Sequence, residues 1–324
     1  MSNLEAMREK YAPYFRIGTA INPFDLDDPK KAELIGKHFN SITCANAMKY
    51  GSLTREPGQY RFDWADRIVD FAKEHDIAIH GHTFVWHNQT PDYIFENATA
   101  DSLLETLRQH VITFRDHFGE LETFDAVNEA IEDKSESYLR DTKWLRTIGE
   151  DYLAKVFRVI HEEMPSTRLF YNDYNESFPE KRVKIMKLLK SLIDDGAPIS
   201  GMGMQSHLRI YWPEFDEIKR SIEDYASLGL KIRISELDVS MYHGEQDAQL
   251  VPDKELLKKQ ADYYDQLFKI YRSYSDHIEA VTFWGFADSD SWLNNFPVRG
   301  RKDYPLLFDD NSELKESYYR IMDF

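Results

Sequence analysis

Two glutamates in similar surroundings are the residues best suited to chemistry. Glu129 stands in the stretch FDAVNEA, where mostly apolar residues run into an amide and a carboxylate, and Glu236 stands in KIRISELDV, where an alternating apolar segment again runs into a carboxylate at the predicted strand end. Cleavage of an acetal needs one acid to protonate the leaving oxygen and one carboxylate to meet the positive charge that develops at the anomeric carbon. A single strand-end glutamate could instead pair with a basic residue such as Arg233, but two in matching contexts favour a two-carboxylate active site.

The neighbours of the two glutamates predict different roles for them. An ionised Glu236 beside a hydrogen-bonding His207 would keep its charge, and its negative field would favour a proton on Glu129. We therefore predict that Glu236 is the nucleophile and that Glu129 is the acid and base. Asn128 could donate to a sugar hydroxyl next to the reacting carbon, or it could be a structural amide at the end of a strand.

Eight apolar or alternating segments predict eight β-strands, and segments with helical periodicity lie between most of them. The predicted strands are 15–20, 40–44, 77–85, 123–128, 168–174, 201–207, 231–237 and 279–286. The predicted helices are 64–75, 103–118, 151–164, 179–194, 215–228 and 256–274. No proline-, glycine- or serine-rich linker interrupts the series, so we predict one domain over residues 1–324.

This alternation of strands and helices over 324 residues is typical of α/β proteins with a single (β/α)8 TIM barrel, and an open doubly wound sheet is the alternative. Two observations favour the barrel. No GxGxxG turn follows the first strand, and polar residues follow many strands instead of gathering at one switch point. A barrel would bring these strand ends to one rim, with Glu129 and Glu236 on its fourth and seventh strands.

Aromatic and polar side chains at the predicted strand ends suggest a carbohydrate cleft. Flat aromatic faces suit the C–H faces of sugar rings, although any single tryptophan could be core packing. The aromatic candidates are Trp86, Tyr174, Trp212, Trp284 and Trp292. The candidate donors to sugar hydroxyls are Asn46, Lys49, His82 and Gln205.

Clustered histidines raise the alternative of a metal-dependent hydrolase. His80 and His82 would point the same way from one strand, and His87 and His207 come later in the chain. No lysine or aspartate completes an evident metal-ligand pattern, so hydrogen-bonded histidines are the favoured interpretation. We predict no metal and no cofactor.

The charge balance argues against two classes of partner. Fifty-seven acidic and forty basic residues give a net charge of −17, which repels the phosphates of nucleic acid and anionic membrane lipids. No apolar run approaches the roughly 20 residues that span a bilayer.

Cys44 is the single cysteine and the N-terminal stretch lacks the apolar core of a secretory signal, so we predict a cytoplasmic protein. The sequence predicts no oligomeric state.

Six motifs, in order, give the chain a resemblance to family 10 glycoside hydrolases, the (β/α)8 endo-β-1,4-xylanases, from about residue 15 to the C-terminus. The motifs are HTFVWH (82–87), DAVNEA around Glu129, YNDYN (171–175), MQSH (204–207), ISELDV around Glu236 and FWGFADSDSW (283–292). The resemblance implies a retaining double displacement on β-1,4-xylan. It also implies that Glu129 is the acid and base and that Glu236 is the nucleophile, in agreement with the roles predicted from the residues alone.

The same resemblance implies roles for the residues around the two glutamates. Asn128 would contact the 2-hydroxyl of the sugar at subsite −1, while Gln205 and His207 would hold the two carboxylates, with Asp238 as a further support. The glycone side would be formed by Lys49, His82, Trp86, Trp284 and Trp292, with Asn46 as a further donor. Tyr174 would serve the aglycone side.

One position departs from the family pattern. Where the family has ENxxKW after the second strand, a glycone-binding glutamate is replaced by Ala45, while Asn46 and Lys49 are present. Loss of that carboxylate predicts weaker binding at subsite −2 and an altered substrate length or glycone preference. A carbohydrate-binding protein without turnover is therefore the alternative from another class. The segment NNFPVRGRKDYPLLFD resembles the intracellular members of the family, which implies short xylo-oligosaccharides as the substrate.

Overall fold

The computed structural model describes residues 5–133 and 136–324, and its centre is a parallel β-sheet. Its eight main strands are β1 (Arg16–Ile21), β2 (Ser41–Cys44), β3 (Ala78–Val85), β4 (Thr123–Asn128), β5 (Arg168–Asp173), β6 (Ile199–Met204), β7 (Lys231–Ser240) and β8 (Ile278–Phe283). Each of the eight predicted strands overlaps one of them. A separate two-stranded ladder joins Thr54–Glu56 to Gln59–Tyr60.

The sheet closes on itself. Neighbouring strands follow chain order from β1 to β7, and β8 pairs with both β7 and β1 in parallel, with Ala280 opposite Arg233 on one side and Arg16 on the other. A closed parallel sheet whose strands are joined through helices is a (β/α)8 barrel. The predicted TIM barrel is confirmed, and the open doubly wound sheet is wrong.

Helices fill the connections between the strands. They are α1 (Met7–Lys10), α2 (Pro29–His38), α3 (Tyr50–Leu53), α4 (Asp63–Glu74), α5 (Ala100–Phe118), α6 (Lys143–Ile148), α7 (Tyr152–Glu163), α8 (Pro179–Asp194), α9 (Phe215–Ala226), α10 (Lys254–Ser273) and α11 (Glu316–Met322). Short 3₁₀ helices lie at Pro23–Asp27, Asp92–Phe95, Asp288–Asp290 and Trp292–Asn294. The six predicted helices correspond to α4, α5, α7, α8, α9 and α10.

Each long helix buries one apolar face. In α9, for example, Ile218, Ile222 and Tyr225 are buried at intervals of four and three residues, which places them on one side of the helix. The N-terminus of α2 is capped by Asp28, whose carboxylate accepts from the N–H groups of Lys30 and Lys31. Within the described parts of the chain, none of the helices combines the length and apolar character that crossing a bilayer requires.

The interior of the barrel is packed, which leaves the strand ends for a binding site. Gly201 lies where an added side chain would meet the ring of Phe170, and the buried Arg233 guanidinium carbon is 5.8 Å from the centroid of that ring. Arg233 also forms an ion pair with Glu279 at 2.8 Å. In this fold the loops at the C-terminal ends of the strands form the functional face.

Two predicted strand boundaries are wrong at that face. The predicted strand 201–207 stops at Met204, because Ser206 adopts a left-handed φ of 56°. The chain then forms a short extra strand, His207–Arg209, which pairs with the far end of β7.

β7 is the second exception, because it continues to Ser240 and carries Glu236 inside a strand instead of at its end. The pairing between β7 and β8 shifts register between Ile234 and Leu237. Residues two positions apart on a strand share a face, so Glu236 and Asp238 point in the same direction.

Candidate active site

Glu236 is a buried carboxylate at the C-terminal rim. Its side chain is 6% exposed, its Oε2 lies 3.2 Å from His207 Nε2, and its Oε1 accepts from Asn172 Nδ2 at 2.7 Å. Burial alone would raise the pKa of Glu236, but the hydrogen bond from His207 and the positive charges of His82, His207 and Lys49 outweigh burial and lower the pKa below its usual value. Glu236 is therefore ionised at neutral pH.

His207 links Glu236 to a second carboxylate. Its Nδ1 lies 2.9 Å from Asp238 Oδ2. Burial alone would lower the pKa of His207, but the charges and hydrogen bonds of Asp238 and Glu236 raise it to about 10. At neutral pH the ring is consequently an imidazolium that donates to both carboxylates.

Trp292 is attached to the same assembly. Its Nε1–H donates to Asp238 Oδ2 at 2.9 Å, and its ring packs on His207 with centroids 4.9 Å apart. The aromatic ring is thereby fixed beside the predicted nucleophile, as the glycone-wall role requires.

Glu129 is held by neutral donors. Its Oε2 accepts from Trp86 Nε1 at 3.0 Å, and its Oε1 accepts from Asn128 Nδ2 and Gln205 Nε2 at 3.1 Å each. Its φ of 57° lies in the left-handed region, which is uncommon for a residue other than glycine. The side chain is 14% exposed, so the carboxyl group can meet a ligand in the cleft.

Asn172, at the end of β5, connects the surroundings of the two glutamates. Its Nδ2 donates to Glu236 Oε1 at 2.7 Å and to Asn128 Oδ1 at 2.9 Å, and its backbone carbonyl accepts from the N–H of Glu129 at 2.8 Å. Asn128 Oδ1 also accepts from Gln205 Nε2 at 3.1 Å. The sequence-based site omitted Asn172, and its place at the end of a strand in the YNDYN motif was the available signal.

Lys49 lies among the glycone-side candidates. Its Nζ donates to Asn46 Oδ1 at 3.1 Å and lies 4.8 Å and 5.9 Å from the ring centroids of Trp86 and Trp284. Burial lowers the pKa of Lys49 to about 8, against the opposing effect of the two catalytic-candidate carboxylates. Residues from the loops after β2, β3 and β8 thus meet in one cluster.

His82 reaches this cluster from within β3. Its Nδ1 lies 2.8 Å from Asp125 Oδ2, and its ring meets Trp284 edge to face at 5.5 Å. His80 is hydrogen-bonded to Thr123 Oγ1 at 2.8 Å and lies 3.1 Å from the other Asp125 oxygen. Both histidines are hydrogen-bonded, and across residues 5–133 and 136–324 no three His, Cys, Asp or Glu side chains are arranged to hold a metal ion.

Tyr174, just after β5, is held between two cations. Arg140 Nη2 donates to its phenol oxygen at 2.8 Å, and Lys181 Nζ lies 4.4 Å from its ring centroid. Arg140 Nε also donates to the backbone carbonyl of Glu129 at 3.0 Å, so Tyr174 is connected to the acid/base candidate through one guanidinium. The sequence carried no signal for Arg140, which lies in a polar loop.

Two further positions complete the comparison with the sequence. Trp212 packs against Phe178, with ring centroids 5.1 Å apart, and under the Arg209 guanidinium at 4.8 Å, so these ring contacts lie outside the network of the two glutamates. Ala45 is buried beside Asn46, and its N–H donates to the carbonyl of Ile21 at 3.0 Å. The remaining sequence-predicted site residues lie together at the rim.

The arrangement provides two carboxylates with unlike surroundings between aromatic rings. An ionised carboxylate can attack or stabilise an electron-poor carbon, while a carboxyl group among neutral donors can exchange a proton with a ligand. Lysine, asparagine and indole groups surround them with donors and flat apolar faces. This is chemistry suited to the cleavage of a glycosidic bond.

Comparison with known proteins gives the same family over nearly the whole chain. The sequence pattern described as glycosyl hydrolase family 10 matches residues 6–324. Endo-1,4-beta-xylanase B of Paenibacillus barcinonensis is 44% identical, covering 99% of this chain and 98% of that protein.

Solved structures of similar proteins have the same fold as this chain. The crystal structure of an endo-1,4-beta-xylanase from Caldicellulosiruptor owensensis has a TM-score of 0.96 at 44% identity, covering 99% of this chain and 100% of that one. The structure of a mutant protein in complex with xylotriose has a TM-score of 0.95 at 42% identity, covering 98% of this chain and 99% of that one. This chain belongs to glycosyl hydrolase family 10.

Proposed function

We propose that this protein is an endo-1,4-β-xylanase that hydrolyses β-1,4-xylosidic bonds with retention of configuration. The observation that carries the proposal is the pair of unlike carboxylates, with Glu236 ionised beside the His207 imidazolium and Glu129 among neutral N–H donors. Family membership and the xylanase activity named for the relatives support xylan as the substrate class. The xylotriose complex of a neighbour supports xylo-oligosaccharides as ligands.

The proposed reaction has two displacements. Glu236 attacks the anomeric carbon while Glu129 gives its proton to the glycosidic oxygen, so the C–O bond to the leaving sugar breaks and a covalent glycosyl-Glu236 ester forms. Water then attacks the same carbon, Glu129 takes its proton, and the ester bond to Glu236 breaks. Because each step inverts the anomeric centre, the product retains the β configuration.

The residues around the carboxylates have distinct tasks in this scheme. His207, held by Asp238, keeps Glu236 ionised, while Gln205 and Asn128 orient Glu129. Asn128 donates to Glu129 and is linked to Glu236 through Asn172, and we propose that it binds the 2-hydroxyl of the reacting sugar, a contact that strengthens in the transition state.

We further propose that short xylo-oligosaccharides are preferred over polymeric xylan. Ala45 removes a carboxylate that would accept hydrogen bonds from glycone hydroxyls, which weakens distal glycone binding and makes affinity depend on the sugars nearest the reaction centre. We expect a higher kcat/KM on xylotriose and xylotetraose than, per bond, on polymeric xylan. Steady-state kinetics and product profiles on these three substrates measure the preference. A higher kcat/KM per bond on polymeric xylan would contradict it.

The activity itself is tested with purified protein. We expect wild type to release reducing sugar from xylan and xylotetraose, with β-anomeric product visible first by NMR, and Glu236→Ala to lose this activity. Wild-type activity in Glu236→Ala, or α-anomeric product, would overturn the proposed mechanism. Binding of xylotetraose without turnover by wild type would instead indicate a carbohydrate-binding protein.

A cytoplasmic location, a single domain and the absence of nucleic-acid or membrane partners remain predictions from the sequence. The acidic net charge of −17 supports the exclusion of polyanionic partners. Fractionation of the source cells tests the location. Xylanase activity in the medium of intact cells would contradict a cytoplasmic location.

A further inference from the structure

We propose that Arg140 is a positioning residue for the acid/base, holding Glu129 and Tyr174 with one guanidinium group. The proposal rests on the proposed function, because it concerns protonation of the leaving sugar. Arg140 follows Glu129 by eleven positions and lies at the far end of the loop after β4. Its side chain donates to a backbone carbonyl and a phenol, with no carboxylate among these acceptors.

The backbone of Glu129 is the part that needs to be held. With φ at 57°, this residue sits in a conformation that an L-amino acid adopts only when its surroundings enforce it. Its N–H donates to Asn172 O at 2.8 Å, and its carbonyl accepts from Arg140 Nε at 3.0 Å. Both peptide groups flanking the Cα are therefore fixed, and the direction of the side chain toward Trp86, Asn128 and Gln205 follows from them.

Arg140 is itself well anchored for this task. Its own N–H donates to Ala130 O at 2.8 Å, and Ile131 and Leu139 form an antiparallel bridge, so the two ends of the loop pair with each other. The N–H groups of Ala130 and Ile131 donate to the Tyr171 phenol at 3.1 and 3.2 Å. The guanidinium thus projects from a fixed backbone onto the residue that precedes Ala130.

The planar geometry of arginine matters here. Nε binds the Glu129 carbonyl while Nη2 binds the Tyr174 hydroxyl at 2.8 Å and lies 3.5 Å from Ile131 O. A lysine ammonium on a flexible stem can reach one of these acceptors but does not present two donors in a fixed fork. A change at Arg140 therefore disturbs Glu129 and Tyr174 together.

A second arginine provides a matched control. Arg146 lies six residues further along, is 63% exposed and binds Asp141 at 2.5 and 2.6 Å. It is a surface ion pair in a neighbouring helix, α6, and contacts neither Glu129 nor Tyr174. Loss of Arg146 reports the effect of removing an arginine from this region without touching the site.

The test compares substrates that differ in their need for an acid. In Arg140→Ala we expect kcat/KM on xylotriose, whose leaving sugar must be protonated, to fall roughly 10- to 100-fold. On 2,4-dinitrophenyl β-xylobioside, whose phenolate leaves without a proton, we expect kcat/KM to fall by less than about 3-fold. Arg140→Lys should recover part of the loss, and Arg146→Ala should match wild type on both substrates.

Tyr174→Phe separates the two contacts of the guanidinium. It removes the hydroxyl but leaves the bond from Arg140 to the Glu129 carbonyl, so we expect a raised KM for xylotriose with a kcat close to that of wild type. Azide added to Arg140→Ala should raise kcat on the dinitrophenyl substrate and give a glycosyl azide, since azide needs no base. Thermal melts of all variants establish that they are folded.

The outcomes are distinguishable. Equal losses of kcat/KM on both substrates in folded Arg140→Ala would overturn the positioning role. Wild-type KM and kcat on xylotriose in Arg140→Ala would overturn it as well. If Arg140→Ala does not fold, we expect Arg140→Lys to lose more kcat/KM on xylotriose than on the dinitrophenyl substrate, to a smaller degree. Equal kcat/KM losses on the two substrates in Arg140→Lys would then overturn the role. If wild type cleaves neither substrate, the proposed function fails instead.

Discussion

The surroundings of Glu236 and Glu129 differ in the kind of group that binds each carboxylate. Glu236 is buried against a cation, the His207 imidazolium. A hydrogen bond to Asp238 stabilises the protonated form of His207. Glu129 is more accessible and accepts hydrogen bonds from an indole and two amides, none of which carries charge. The surroundings of Glu236 stabilise a negative charge. The surroundings of Glu129 orient a group that, in the proposed mechanism, first donates and then accepts a proton.

The proposed mechanism uses this difference to give two roles to the same side-chain type at one barrel rim. A nucleophile must stay ionised, so a charged partner helps it, whereas a strong cation at the acid/base would oppose protonation. Asn172 and Asn128 join the two environments through neutral amides, which orient both carboxylates without adding charge. His87 Nε2 lies 4.0 Å from Glu129 Oε2, but burial lowers the pKa of His87, so this contact lacks the positive charge that His207 supplies to Glu236.

The largest expected effect comes from replacing each glutamate with its neutral amide. Glu236→Gln should lower kcat/KM on every substrate, on the order of 10⁴-fold or more, because no nucleophile remains. Glu129→Gln should lose roughly 10²- to 10⁴-fold on xylotriose but keep most of its kcat/KM on 2,4-dinitrophenyl β-xylobioside. Steady-state kinetics on the two substrates make the measurement, and equal selectivity in both variants would remove the distinction between the two sites.

A smaller effect is expected from removing the cation at the nucleophile. In His207→Gln, the hydrogen bond and the positive charge of His207 are lost, so the pKa of Glu236 rises and the acid limb of the kcat/KM profile moves to higher pH. At neutral pH we expect a loss of roughly 10²-fold. An unchanged acid limb in a folded variant would show that His207 does not set the charge of Glu236.

His207 also links folding stability to pH. Its folded pKa of about 10 lies above the usual value of 6.5, so its protonated form stabilises the fold fully below pH 6.5, and this contribution is lost as pH rises through about 10. We expect wild type to lose more stability than His207→Gln between pH 7 and 10, as measured by urea unfolding. Parallel curves for the two proteins would contradict the ionic interaction.

The smallest expected effect concerns Lys49, which lies near both carboxylates. Its pKa of about 8 means that its positive charge disappears as pH rises through that value, while it is present below. We expect the affinity of wild type for xylobiose to weaken about 3- to 10-fold between pH 7 and 9, as measured by calorimetry. Lys49→Met should bind more weakly throughout and show no change near pH 8, and a similar pH dependence in this variant would assign the titration to another group.

The sequence predicted the parts of this site that repeat with the fold. Alternating segments marked all eight strands, and a closed barrel then placed Glu129 and Glu236 at one rim whatever their separation in the chain. The environment of Glu236 was partly predictable, because His207 and Asp238 lie in recognisable motifs.

The environment of Glu129 was less predictable, because it depends on backbone geometry. The left-handed φ of Glu129 is a conformation that glutamate rarely adopts, so the residue type does not predict it. Arg140 and Asn172 hold the backbone of Glu129 through hydrogen bonds to its carbonyl and its N–H, and their residue types carry no signature of those partners.

In the proposed mechanism, Glu236 is kept ionised by His207 and forms a covalent bond to the sugar. The most direct measurement is mass spectrometry of the protein after incubation with 2,4-dinitrophenyl 2-deoxy-2-fluoro-β-xylobioside, whose fluorine slows hydrolysis of the intermediate. We expect a single added fluoroxylobiosyl group, located by peptide mapping on Glu236 and absent in Glu236→Gln. Turnover of the reagent without any adduct, or an adduct on Glu129, would contradict the account.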